Sequence, residues 1–294
     1  MKKKLSTVVF LSVLMFSFAV SAGAEVTIYV SVPPQKYFTE QVGGERVNVS
    51  VLVEKGQDPH TFEPLPAQMA SLSRAKLYLS IGLPFEGSLL PRLRKINPDL
   101  RVFSADRGVE KIMGKDEEHH GHTDEHGHDH DHGGSDPHVW NGVREAGIIA
   151  ENILNALTEL DPGGEEYYLQ NFQTFKTRLD KLDSELRELF RGKEGTAFLV
   201  FHPAWGYLAR EYGLDEVAIE SEGKEPKASD LAALISSAKK KGIKTILISP
   251  QFSRRTAEII AGNIGANVET VDPLAEEWEE NIRTAAHTIA AAAK

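Results

Sequence analysis

The chain has 294 residues, 41% of them apolar, enough for a sizeable core in two domains or one large α/β unit. Its net charge of −10 argues against a nucleic-acid surface and suits cations better. It has no cysteine, which excludes disulfides, thiolate metal sites and a lipid-modified cysteine.

The first residues, Lys2, Lys3 and Lys4, precede an apolar run over 8–20 and the small residues Ala22, Gly23 and Ala24. This is the pattern of a secretory signal peptide over 1–24, and the run is short of the ~20 residues a membrane span needs. The mature chain is expected to begin at Glu25, without a membrane anchor, and to be retained in a periplasm. Loss of the three lysines takes the charge from −10 to −13.

From there strands and helices alternate. VTIYVSVPP (26–34) reads as a first strand with a Pro-Pro stop, followed by a helical stretch near 37–42 and a strand over 47–53. A helix over about 67–74, LYLSIG (77–82) and LRVFSA (100–105) follow. Residues 116–135 then break the pattern. His119, His120, His122, His126, His128, His130 and His132 lie there among Asp, Glu and Gly with almost no apolar residue, so no core can form. This acidic segment is expected to be a weak, multi-ion accessory metal site.

Beyond it come a helix over 143–160, a break at Asp161-Pro162-Gly163-Gly164, and a longer helix over 165–190 with apolar residues every three or four positions. Strands at 197–201, 217–220, 245–249 and 267–271 then alternate with helices at 207–212, 229–241 and 254–264 and a terminal helix, with Ser229-Asp230 and Ser253 as N-caps. The expected fold is α/β: two lobes, each with a mainly parallel β-sheet flanked by helices, joined by a long rigid backbone helix. The boundaries are 25–163 for the N-terminal lobe, 164–191 for the connecting helix and 192–294 for the C-terminal lobe.

Outside the acidic segment four histidines remain: His60, His138, His202 and His287. Three share a context, because GQDPHTFEP, SDPHVW and VFHPAWG each set a histidine beside a proline in a turn. TVDPLAEEW puts Asp272 after a strand in the same way, and ligands of open α/β sheets bind beyond the carboxyl ends of strands. The candidate metal ligands are therefore His60, His138, His202 and Asp272, with Glu220, Glu63 or water as substitutes for the last. Three imidazoles and one carboxylate suit tetrahedral Zn²⁺, whereas Mn²⁺ prefers more oxygen. His287 sits in an alanine-rich helix and reads as packed or solvated. Trp140, Trp205 and Trp278 read as walls of the site.

In order, the motifs DPHTFEP, the histidine-rich insertion, DPHVW, the long helix, FHPAWGYLAREYGL and VDPL resemble the ZnuA/TroA type of periplasmic solute-binding protein of bacterial zinc or manganese importers. The resemblance covers essentially the whole mature sequence. It implies two α/β lobes with metal in the cleft, the ligands carried onto His60, His138, His202 and Asp272, and partners in a membrane permease and its ATPase subunit. The binding protein itself is expected to be a monomer that captures zinc and hands it over, and not an enzyme. The histidine-rich insertion and the retained His202 point to zinc within this family; manganese or iron is the alternative cargo. A zinc buffer working without a transporter is a second alternative. A zinc hydrolase is the rival of another class, but there is no H-E-x-x-H, and four protein ligands leave no open position for an activated water.

Overall fold

A computed structural model describes residues 26–113, 134–220 and 226–292. The expected signal peptide and the seven accessory histidines lie outside the described residues.

The N-terminal half contains strand β1 (Val26–Val30), helix α1 (Pro33–Gly43), β2 (Val47–Val51), α2 (Pro66–Leu72), β3 (Leu77–Ser80), α3 (Pro84–Ile96), β4 (Arg101–Ser104) and α4 (Val143–Leu160). The 26-residue helix α5 (Glu165–Phe190) leads into the second half. There follow β5 (Ala197–Val200), α6 (Gly206–Tyr212), β6 (Asp215–Ala218), α7 (Ala228–Lys240), β7 (Thr245–Ile248), α8 (Arg254–Ile264), β8 (Asn267–Thr270) and α9 (Trp278–Ala292). Both sheets are wholly parallel, in the orders β2-β1-β3-β4 and β6-β5-β7-β8. The two halves thus share one topology, although their sequences show no repeat; both D-P-H tripeptides lie in the N-terminal half.

Parallel strands covered on both faces read as continuous apolar runs, and β5 illustrates why. Phe198 and Val200 enter the larger core, while Leu199 and Phe201 enter a smaller one beneath α7 and α8. The larger core does not stop at the boundary between the halves. Trp278, Ile282, Ala285, Ala286 and Ile289 of α9 belong to it, together with Phe38 and Val42 of α1 and Phe175 and Leu179 of α5. The C-terminal helix therefore closes back on the N-terminal half.

Three local expectations are corrected. Pro33 and Pro34 do not end a strand; they open α1, where a missing N–H costs nothing and φ is already helical. Helix α3 was not expected between the third and fourth strands, because Gly87 and the interior Pro91 interrupt its pattern. Ser229 and Asp230 do not cap α7, which begins after Lys227 without a side-chain cap bond, whereas Ser253 does cap α8.

Candidate metal site

The two D-P-H tripeptides close the same turn bond. Asp58 Oδ1 accepts the His60 backbone N–H at 2.9 Å, and Asp136 Oδ1 accepts that of His138 at 2.9 Å. Each is an Asx-turn, in which the aspartate side chain closes the loop and proline fixes φ, so that the histidine is thrown outward. His60 comes from the loop after β2, and His138 from the turn leading to α4. His202 follows β5 directly, at the carboxyl end where such sheets hold ligands.

These three histidines, far apart in sequence, converge. Their Nε2 atoms are 3.1 Å (His60 to His138), 3.1 Å (His60 to His202) and 3.2 Å (His138 to His202) apart. Among the described residues they form the one group of three or more potential ligands close enough to share an ion. A tetrahedral zinc with bonds of ~2.05 Å has ligand–ligand edges of about 3.3 Å, so the triangle is of the right size for three corners.

The protonation pattern fits as well. His138 Nδ1 lies 2.7 Å from Asp136 Oδ1, and His202 Nδ1 lies 2.5 Å from Glu220 Oε1. Each Nδ1–H donates to its carboxylate, so both rings present a bare Nε2 lone pair to the centre. Burial, and then the repulsion that His138 and His202 exert when protonated, push the His60 imidazole down to about 4, so that this ring is neutral near pH 7. Asp136 is also held low: burial alone would raise it, but its hydrogen bonds from His138, and the attraction of that ring when protonated, outweigh burial. With the His60 proton on Nδ1, three lone pairs converge and repel one another, and a cation relieves that repulsion.

The histidine tips open on a cavity of about 20 Å³, room for one ion or one water. Its other walls include Pro59, Phe252, Pro273, Leu274, Ser249 and Gln251. His202 stacks on Phe252 with ring centroids 5.4 Å apart.

Asp272 is not brought into the three-histidine group. Its Oδ1 accepts the Leu274 backbone N–H at 3.0 Å and Gln251 Nε2 at 3.0 Å, and its side chain borders a neighbouring groove. The reason is local. D-P-L makes the same Asx-turn as the two D-P-H tripeptides, so Asp272 is the counterpart of Asp58 and Asp136, and Leu274 that of the histidines. Glu220 serves as the hydrogen-bond partner of His202, and Glu63 and His287 stand outside the group.

Of the tryptophans, Trp140 packs edge-on against His138, with centroids 5.4 Å apart. Its indole N–H donates to the Pro273 carbonyl at 2.8 Å, and Trp278 donates in turn to the Trp140 carbonyl at 2.6 Å. Trp205 lies in the core, its backbone N–H bonded to Glu216 at 2.8 Å. Burial raises the Glu216 carboxyl to about 7, against the lowering effect of that bond. The tryptophans brace the site more than they wall it.

Sequence reading did not single out Gln251. The only signal was its place just after a strand, beside Pro250, the context that marked the histidines. Its Oε1 is buried without a hydrogen-bond partner among the described residues, an arrangement costing about 1–3 kcal/mol when nothing else satisfies it.

Residues 28–292 match the family described as "ZnuA: Zinc-uptake complex component A periplasmic". The chain is similar to the "High-affinity zinc uptake system protein ZnuA" of Bacillus subtilis (strain 168), 32% identical over 86% of this chain and 80% of that protein. It is 33% identical to a "Putative metal-binding protein" of Treponema pallidum (strain Nichols), over 84% of this chain and 78% of that one. A solved structure named "Crystal structure of ZnuA" superposes with a TM-score of 0.82 at 37% identity, covering 91% of this chain and 98% of the other. With a match that runs through both sheets, the long helix and all three converging histidines, the chain belongs to the ZnuA family of periplasmic zinc-uptake components.

Proposed function

We propose that this protein is the zinc-binding component of an ABC importer, which captures Zn²⁺ in the periplasm and delivers it to a membrane permease driven by a separate ATPase subunit. The observation that carries the reading is the triangle of Nε2 atoms 3.1–3.2 Å apart, with two Nδ1 atoms held by carboxylates. His60, His138 and His202 supply three nitrogen donors, a set that favours zinc over manganese. Asp272 stands behind Gln251 on the fourth side of the site, joined to it by a bond of 3.0 Å. The protein binds and hands over, and it catalyses no reaction.

No described helix is long and apolar enough to cross a membrane, in keeping with a component that works beside a separate permease. The segment carrying His119, His120, His122, His126, His128, His130 and His132 acts as an accessory zinc trap. Deleting residues 117–133 is expected to lower zinc stoichiometry while leaving one tight site, measured by calorimetry and metal analysis. Loss of the tight site on this deletion would contradict the division into a principal and an accessory site.

A further inference from the structure

The fourth position of the ion has no donor among the described histidines and carboxylates as they stand, yet the cavity is not wholly apolar on that side. Gln251, from the loop after β7, lines it beside His60, His138 and His202. The amide is oriented by one identifiable bond, Nε2 to Asp272 Oδ1 at 3.0 Å. Asp272 is itself fixed by the Leu274 N–H at 3.0 Å, and its backbone carbonyl accepts from Asn281 Nδ2 at 2.7 Å. With Nε2 committed to the carboxylate, the other end of the amide is an acceptor, and this Oε1 is buried without a partner. A buried acceptor in the wall of a one-water cavity calls for a donor inside it.

We infer that Gln251 is a positioning residue for the bound ion: its Oε1 accepts a hydrogen bond from a water in the fourth coordination position, and Asp272 acts through Gln251 by orienting the amide. Zinc-bound water is a strong donor with no acceptor capacity to spare, and the amide oxygen is a neutral acceptor that does not draw off its proton. The carboxylate stands one residue further back. The C-terminal half thus contributes a labile ligand, exchangeable when the ion is handed over, in place of a fourth protein–metal bond.

This inference rests on ligation by the three histidines, and its test keeps the two apart. Zinc affinity of the full-length protein is measured by competition with a chelator, which resolves the tight site from weak ones, and zinc K-edge absorption of the loaded protein reads its coordination shell. Gln251→Leu is expected to weaken zinc binding about 10- to 100-fold, the range of outer-shell partners of metal ligands. Asp272→Ala should fall in the same range, and the double variant should be no weaker than either single one, because the two act as one unit. The absorption spectrum shows four light-atom neighbours, and a crystal structure of the loaded protein shows the fourth to be a water oxygen bonded to Gln251, with Asp272 beyond bonding distance of the ion.

The inference is overturned if Gln251→Leu binds zinc like the wild type, or if a crystal structure of the zinc-loaded protein places an Asp272 carboxylate oxygen within about 2.2 Å of the ion, which would make Asp272 a direct ligand. Thermal melting of each metal-free variant separates loss of folding from loss of binding. If His202→Ala keeps the tight site, the three-histidine reading has failed; if it loses the site while Gln251→Leu does not weaken it, only the present inference has.

Discussion

Glu220 and Asp136 each hold the Nδ1 of a histidine whose Nε2 faces the three-histidine centre, and both are buried or nearly so. Such partners set the tautomer and raise the basicity of the ring, so their loss is felt at the metal without any ligand being removed. Glu220→Ala is expected to weaken zinc binding 10- to 100-fold, measured by chelator competition; unchanged affinity would show that the ring is oriented by packing on Phe252 alone. His60 makes a different prediction. Its imidazole has a folded pKa near 4, lowered from 6.5 chiefly by burial and then by the two neighbouring rings. The unfolded chain therefore binds more protons than the folded one as pH falls from about 6.5 towards 4. Through this group the metal-free protein loses stability across that window, and His60→Ala should flatten the fall in melting temperature between pH 6.5 and 4. At this scale the sequence was legible where chemistry and turn geometry coincide: an Asp-Pro pair ahead of a histidine both closes a turn and aims a ligand. At Asp272 the same Asp-Pro pair closes the same turn, but the outward position carries Leu274, and the carboxylate meets Gln251 and the Leu274 N–H. Gln251 was illegible because its role depends on a hydrogen bond to a residue 21 positions away.

The elements that hold the site were read better than the joints between them. Helices α4 and α5 run over the residues that their apolar spacing marks, since a long amphipathic stripe averages out local noise. The short strand β6 lies two residues earlier than its apolar run VAIE suggests, because pairing with β5 sets its register from Asp215 to Ala218. Nothing in the sequence announces that α9 packs on the N-terminal half. That packing places Trp278 under Trp140, where its indole N–H satisfies a buried carbonyl at 2.6 Å and Trp140 in turn holds Pro273. The pair clasps the turn of His138 to the turn of Asp272. Trp278→Phe leaves the Trp140 carbonyl without this donor, and a loss of about 1–3 kcal/mol in stability is expected from denaturant unfolding. A change within error would mean that the clasp carries no load.

At the level of the whole molecule, two sheets of the same topology face one another with their ligand-bearing loops, and a core continuous from α1 through α5 to α9 ties them together. Helix α5, about 39 Å long at 1.5 Å per residue, spans the molecule as a strut. A cleft built this way sets the separation of His60, His138 and His202 by the fold, which is why residues 78 and 64 positions apart meet within 3.2 Å. The two-sheet plan and the long helix were legible from the alternation of strands and helices; the convergence of the histidines was legible only as shared context, because distance in space is not written in spacing along the chain. The most direct measurement is zinc titration of the full-length protein against a competing chelator, with His60→Ala, His138→Ala and His202→Ala alongside it. The expected result is one tight zinc in the wild type and its loss, by at least about 100-fold in affinity, in each of the three variants. A tight zinc that survives all three substitutions would contradict it.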